Sequence, residues 1–189
     1  MAKDISKMSL EELWQLFPIF LTEHKAVWSE WFEEEKSILE KMLPQSQIVR
    51  ISHIGSTSIS TIWAKPIIDI LVEVNADCNL EMIEQVLLDN NYTCMSQSGS
   101  RISFNKGYTD KGFAEKVYHL HLRYKGDNDE LYFKDYLVEH KDVALAYERL
   151  KLELWKQYEH DRDGYTNGKT EFIKEHTQAA KKLYGKKYR

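Results

Sequence analysis

Two short runs in this chain alternate so strictly that each reads as a strand with one buried face. In residues 116–124, Tyr118, Leu120, Leu122 and Tyr124 fall on one side, and Val117, His119, His121 and Arg123 on the other. In residues 67–74, Ile68, Ile70, Val72 and Val74 are all apolar, whereas Ile67, Asp69, Leu71 and Glu73 are mixed. Side chains leave a strand on alternate faces, so Asp69 projects away from the purely apolar set, where a carboxylate is not core. Residues 101–106 behave alike, Ile102 and Phe104 opposing Arg101, Ser103 and Asn105. Three such strands predict a mixed sheet with helices on one side and a polar, open side, an α/β (α+β) fold.

The helices are marked by caps and by apolar stripes of period 3.6. Ser9 with Glu12 forms a capping box for a short first helix through Phe17, ended by Pro18. Residues 22–43 carry one stripe, Val27, Trp28, Trp31, Phe32, Ile38, Leu39 and Met42, and predict a long helix on the sheet. The run Glu33, Glu34 and Glu35 fans around that helix at about 100° per residue, so it is a solvated face from which at most one reaches a cleft, and not a metal site. Asn79 caps a further helix that ends at Asn90 and Asn91. Residues 92–97 and 101–106 read as a hairpin about Ser98-Gly99-Ser100, and residues 107–115 as a loop. Three helices follow from residue 129, and the lysine-rich end, 181–189, reads as a fraying tail. No glycine- or proline-rich linker intervenes, which predicts one domain over 1–189, with 22–125 as sheet core and flanking helices and 129–185 as a helical part.

The formal charge of −4 lacks the electrostatic footprint of a general nucleic-acid binder and favours a small-molecule partner. Met1-Ala2-Lys3-Asp4 has no apolar leader-like run and no stretch approaches membrane length, so the expectation is a cytoplasmic protein without a membrane partner, with Cys78 and Cys94 reduced. Nothing in the sequence fixes an oligomeric state.

The chemistry gathers around one stretch, His53-Ile54-Gly55-Ser56-Thr57, running to Lys65-Pro66-Ile67-Ile68-Asp69-Ile70. Gly55 and Ser56 open a turn at which backbone N–H groups could cradle a phosphate, or at which Ser56 is simply a helix N-cap. Lys65 stands at the start of the strand, as a phosphate contact or a surface lysine. His119 and His121 share one strand face, spaced to reach one transition metal or to line a phosphate pocket, or else merely packed. Arg101 and Arg123 offer guanidinium forks on the same polar face, or salt bridges to Asp69 or Glu73.

The combined strings 53–57 and 65–70 resemble the GrpB (glutamate-rich protein B) branch of the nucleotidyltransferase superfamily, the polymerase-beta-like fold. His119-Leu120-His121 also resembles the family pattern, as does Tyr165, Lys169, Phe172 and Ile173 in its Tyr-x-x-x-Lys-x-x-Phe-Ile element. The resemblance spans the chain from the Trp31 helix to Ile173 and implies a nucleotidyltransferase-like sheet closed by the C-terminal helices. It further implies metal-dependent transfer from a nucleoside triphosphate to a small acceptor, the partner being a nucleotide or another phosphorylated small molecule. His53, Gly55, Ser56, Thr57, Arg101, Tyr165 and Lys169 would meet phosphate or ligand, Asp69 would hold magnesium, and Lys65 or Arg123 would meet developing charge. Zinc or manganese on Asp69, His119 and His121 is the alternative, as a hydrolase. The superfamily pairs its strand carboxylate with a second two residues on, and here that position is Leu71; Glu73 lies about 13 Å along the strand. A non-catalytic nucleotide or metabolite sensor is therefore the rival reading, and a carboxylate at position 71 is expected to restore cation binding if Leu71 faces an open cleft.

Overall fold

The computed structural model describes residues 7–188, so the reading of Met1–Asp4 lies outside the described residues. Five strands, β1 (Ile48–Ile54), β2 (Ile68–Val74), β3 (Thr93–Ser98), β4 (Arg101–Thr109) and β5 (Gly112–Tyr124), form one sheet in the order β1-β2-β5-β4-β3. Only the central β2–β5 pair is parallel; its register sets Asp69 beside His119 and Leu71 beside His121. The mixed sheet expected from the alternation is therefore what forms.

The apolar faces of the strands carry the main core. Helices α2 (Val27–Met42) and α3 (Leu80–Asp89) send Trp28, Phe32, Leu39, Ile83 and Leu87 onto Ile68, Ile70, Val72, Leu120 and Leu122. Burying each such side chain contributes roughly 1.5–3 kcal/mol, which decides which face of the alternating strands turns inward. Helix α1 (Leu10–Leu16) starts at the expected capping box, Glu12 N donating to Ser9 Oγ at 3.2 Å and Ser9 N to the Glu12 carboxylate at 2.8 Å. Asn79 likewise accepts from Glu81 N at 2.9 Å.

Two local expectations are corrected here. The long helix begins at Val27 and not at residue 22, because Thr22 is held extended in a two-bond bridge with Ala64. Residues 107–115 are not a loop but the turn of a second hairpin, β4 to β5 through Asp110 and Lys111. Gly107 there has φ +90°, and a β-carbon on it would run into the Lys116 carbonyl, so glycine is required at this irregularity inside the ladder. Glu35 is buried and accepts from Tyr92 Oη at 2.8 Å and Lys106 Nζ at 2.6 Å, the one member of the glutamate run that leaves the solvated face, as that reading allows.

The tail does not fray either. Helices α4 (Asp129–Glu139), α5 (Lys141–Tyr158), α6 (Arg162–Gly168) and α7 (Thr170–Tyr184) lie on the polar side of the sheet, and the chain then returns so that Tyr188 packs on Ile54, Leu71 and Leu131. Asn128 Nδ2 donates to the Tyr188 carbonyl at 2.9 Å, and the Tyr188 hydroxyl donates to Asp135. An aromatic end with buried partners outweighs the tendency of a terminal lysine-rich segment to stay solvated. The side of the sheet expected to be open is thus roofed at one end by helices.

Candidate functional site

Asp69 stands near the start of β2, packed against the turn that opens with Gly55. Gly55 has φ +69°, and any β-carbon on it would be driven into the Asp69 carboxylate. Only glycine allows that approach. The next residues form a 3₁₀ turn, Ser56–Ser58, whose position is fixed from both sides. The Thr57 hydroxyl donates to Ile67 O at 3.2 Å, which leaves His53 Nε2 to donate to Thr57 at 3.0 Å. His53 stacks on Phe32 at 4.8 Å, and burial pushes its pKa down to about 4. His53 and Thr57 are therefore the brace of the turn, both buried.

The carboxylate is oriented from β5. His119 Nδ1 lies 3.3 Å and His121 Nε2 3.9 Å from Asp69 Oδ1, while the Asp69 side chain stays 28% exposed. Burial alone would raise the Asp69 pKa, but hydrogen bonds from His119 and His121 more than offset it and hold the carboxyl well below the usual carboxylate range. Burial in turn lowers the His119 pKa, so a neutral imidazole donates its Nδ1 proton to Asp69. His119 Nε2 then accepts from the Tyr108 hydroxyl at 2.8 Å, which itself accepts from Arg162 Nη2 at 3.0 Å. The chain Arg162, Tyr108, His119, Asp69 thus has a defined donor at every link.

Around this carboxylate stand four cations. Lys151, 2% exposed on α5, donates from Nζ to Ser56 Oγ at 3.0 Å and to the Trp63 carbonyl. Lys65 and Lys169 lie over the ring of the buried Tyr165 at 5.4 and 4.3 Å. Arg162 is the fourth. Burial and then the neighbouring Lys169 and Arg162 push the Lys65 ammonium down to about 7; burial and then Lys169 do the same to Lys151, and burial brings Lys169 to about 8. None of the four has an ion pair among the described residues.

Of the residues singled out in the sequence, the structure brings together Gly55, Ser56, Lys65, Asp69, His119, His121, Tyr165 and Lys169, with His53 and Thr57 behind the turn. It does not bring Arg101 there, and Arg123 reaches the site only through His121, its Nη2 donating to His121 Nδ1 at 3.3 Å. Arg101 is spent on Asp127, its Nε 2.7 Å from Oδ2. Arg123 pairs in register with Glu73, four residues beyond Asp69, and its guanidinium donates to Ile102 O at 3.0 Å and Leu122 O at 2.9 Å. Sequence reasoning missed Lys151, Arg162 and Tyr108. The two cations sit in helices where lysine and arginine read as ordinary solvated residues, and only burial sets Lys151 apart.

The fit to a metal can be tested on the donors themselves. Leu71 is fully buried against Ile54 and Leu131, so no second carboxylate stands two residues from Asp69. Both ring nitrogens of His119 are engaged by Asp69 and Tyr108, and among the described residues no three His, Cys, Asp or Glu side chains converge to hold a metal. The present arrangement fits neither a paired-cation centre nor a histidine-metal centre. What it does fit is an anion of several charges lying between Ser56, Lys65, Lys151, Lys169 and Arg162.

A family model described as GrpB protein matches residues 18–179. The glutamate-rich protein GrpB of Alkalihalophilus pseudofirmus is 37% identical over 163 residues, covering 83% of this chain and 92% of that protein. UPF0157 protein YqkA of Bacillus subtilis is 35% identical over 158 residues, 82% of this chain; the match spans only 45% of YqkA. Among solved structures, the conserved protein GrpB from Enterococcus faecalis superposes with a TM-score of 0.75 at 30% identity, covering 87% of this chain and 99% of that one. The Cid1 poly(U) polymerase, in a form with Mg and 3'-dATP bound, gives a TM-score of 0.50 at 8% identity over 78% of this chain and 46% of that one, a likeness of fold alone. Among the described residues, no helix is long and apolar enough to cross a membrane.

Proposed function

This chain belongs to the GrpB family, and from that premise we propose that it binds the phosphate groups of a small molecule, a nucleotide or another phosphorylated metabolite, in the pocket between the Gly55 turn and helices α5 and α6. One observation carries the reading. Four cationic side chains converge on a braced glycine-serine turn with a single carboxylate among them, and none has an ion pair among the described residues. Burying unpaired positive charge costs stability, and an incoming anion of several charges removes that cost while gaining charge-assisted hydrogen bonds. Arg162 can present a fork, Lys65, Lys151 and Lys169 act as point charges, and the turn supplies backbone donors.

Transfer chemistry is the second reading, favoured by Asp69 and by the fold. Asp69, held ionised, is a poor general base for an acceptor hydroxyl. Its chemical capacity is to attract a cation or to orient a group through Oδ2, which faces Gly55. Because Leu71 occupies the place of a second carboxylate, no step is assigned to a bound metal.

The test is calorimetric titration with inorganic tripolyphosphate and nucleoside triphosphates, with and without magnesium, on the wild type and Lys169→Gln. Binding without magnesium is expected, weakened about 10-fold or more in the variant, because a hydrogen bond to a charged group contributes about 1.5–3 kcal/mol. Absence of binding by any of these polyanions would remove the proposal. A new covalent product on adding acceptor alcohols with magnesium would promote the transfer reading.

A further inference from the structure

A cavity of about 500 Å³ opens at the start of β2 and β5, walled by Trp28, Trp31, Phe113, Val117 and Ile67, with Lys65 at its edge. Its volume is that of a small-molecule site. A larger groove of about 750 Å³ between α2 and β4 is lined by Glu35, Lys106 and Tyr92, polar groups already satisfied by one another.

The smaller cavity continues the phosphate pocket in two ways. Lys65 belongs to both, lining the cavity and standing over Tyr165 beside Lys169. Strand periodicity adds the second link: Ile67 and Asp69 share a face, as do Val117 and His119, and β2 and β5 run parallel with Asp69 beside His119. Ile67 and Val117 of the cavity wall are therefore the next pair of residues along the face that carries the carboxylate, while Trp28 and Trp31 reach the same end of the sheet from α2 on its other face. Trp28 is fully buried, and its indole N–H has no hydrogen-bond partner among the described residues. The neighbouring His24 ring, edge-on at 5.1 Å, carries a buried Nδ1 that is likewise without a partner among the described residues.

We infer that this cavity receives a heteroaromatic ring belonging to the same ligand whose phosphates lie at Gly55, Ser56 and Lys65. The half-buried indole of Trp31 and phenyl of Phe113 give flat walls that suit a π face. Lys65 bridges the ring and phosphate halves. This inference rests on the phosphate-binding reading and adds the ligand's second half.

The experiment compares inorganic tripolyphosphate with each of the four common ribonucleoside triphosphates by calorimetric titration, on the wild type, Trp31→Ala and Phe113→Ala, each checked for folding by circular dichroism. The expected result is that at least one nucleotide binds about 5- to 100-fold more tightly than tripolyphosphate, the range that stacking of one base supplies. Either folded variant should erase that margin while leaving the tripolyphosphate affinity unchanged. Tripolyphosphate binding as tightly as every nucleotide, or a nucleotide margin that survives in both folded variants, overturns the ring site and leaves the phosphate pocket standing. Binding of no polyanion at all overturns both.

Discussion

Gly55 is the residue on which the site's geometry turns, and its substitution separates packing from charge. Gly55→Ala meets both a positive φ and the Asp69 carboxylate, and should lower stability by more than the roughly 1–2 kcal/mol of a left-handed alanine alone. Urea denaturation of Gly55→Ala in an Asp69→Gly background should recover part of that loss; full retention of the penalty would show that backbone strain alone is responsible. His53 carries a pH prediction. Its pKa is depressed from 6.5 to about 4, so between those values the unfolded chain binds a proton that the folded chain does not, and stability falls as pH falls. From pH 7 to 4.5 this one group should account for about 2 kcal/mol of lost stability, and His53→Gln should flatten that part of the curve. An unchanged slope in the variant would mean that the buried imidazole is not the source.

At the scale of elements, the two-residue period of β2 and β5 made the site face legible before any coordinates: Asp69, His119 and His121 had to emerge together once the apolar sets turned inward. The same period could not say what covers that face. Leu71 looked like a vacancy in a carboxylate pair, but α4 and the returning Tyr188 bury it beside Ile54 and Leu131. Leu71→Asp should therefore place an unpaired carboxylate in an apolar cluster and cost several kcal/mol, about 3–5, in a urea titration, with no gain in magnesium affinity. Leu71→Met should be tolerated within about 1.5 kcal/mol. A folded Leu71→Asp protein with new magnesium binding would restore the cleft reading. The second hairpin was illegible for a related reason, since Gly107, Asp110 and Gly112 carry turn chemistry whether the turn is a long loop or an irregular ladder. Lys151 and Arg162 were invisible because a helix that buries one lysine has the same local pattern as one that solvates it.

For the whole molecule, the concentration of buried positive charge predicts an unusual alkaline response. The Lys151 pKa falls from 10.5 unfolded to about 7 folded, so above pH 7 the unfolded state holds the extra proton and stability rises with pH. Between pH 7 and 8.5 in phosphate-free buffer the melting temperature of the wild type should climb, and Lys151→Met should start higher and stay flatter. A falling melting temperature in the wild type, with the same fall in the variant, would show that this lysine is not held neutral. Saturating polyphosphate should raise the melting temperature most at pH 7, where the site most needs its counter-charge. The pocket's principal closure, Lys151 on Ser56 and on the Trp63 carbonyl, spans 95 and 88 residues of chain. A polypeptide emerging from the ribosome has made the Gly55 turn, Asp69 and both histidines long before α5 and α6 exist, and through that interval it owns half a vessel. A ligand held by Lys151 and Lys169, as proposed, would therefore be captured only after the helical part that carries them has joined the sheet.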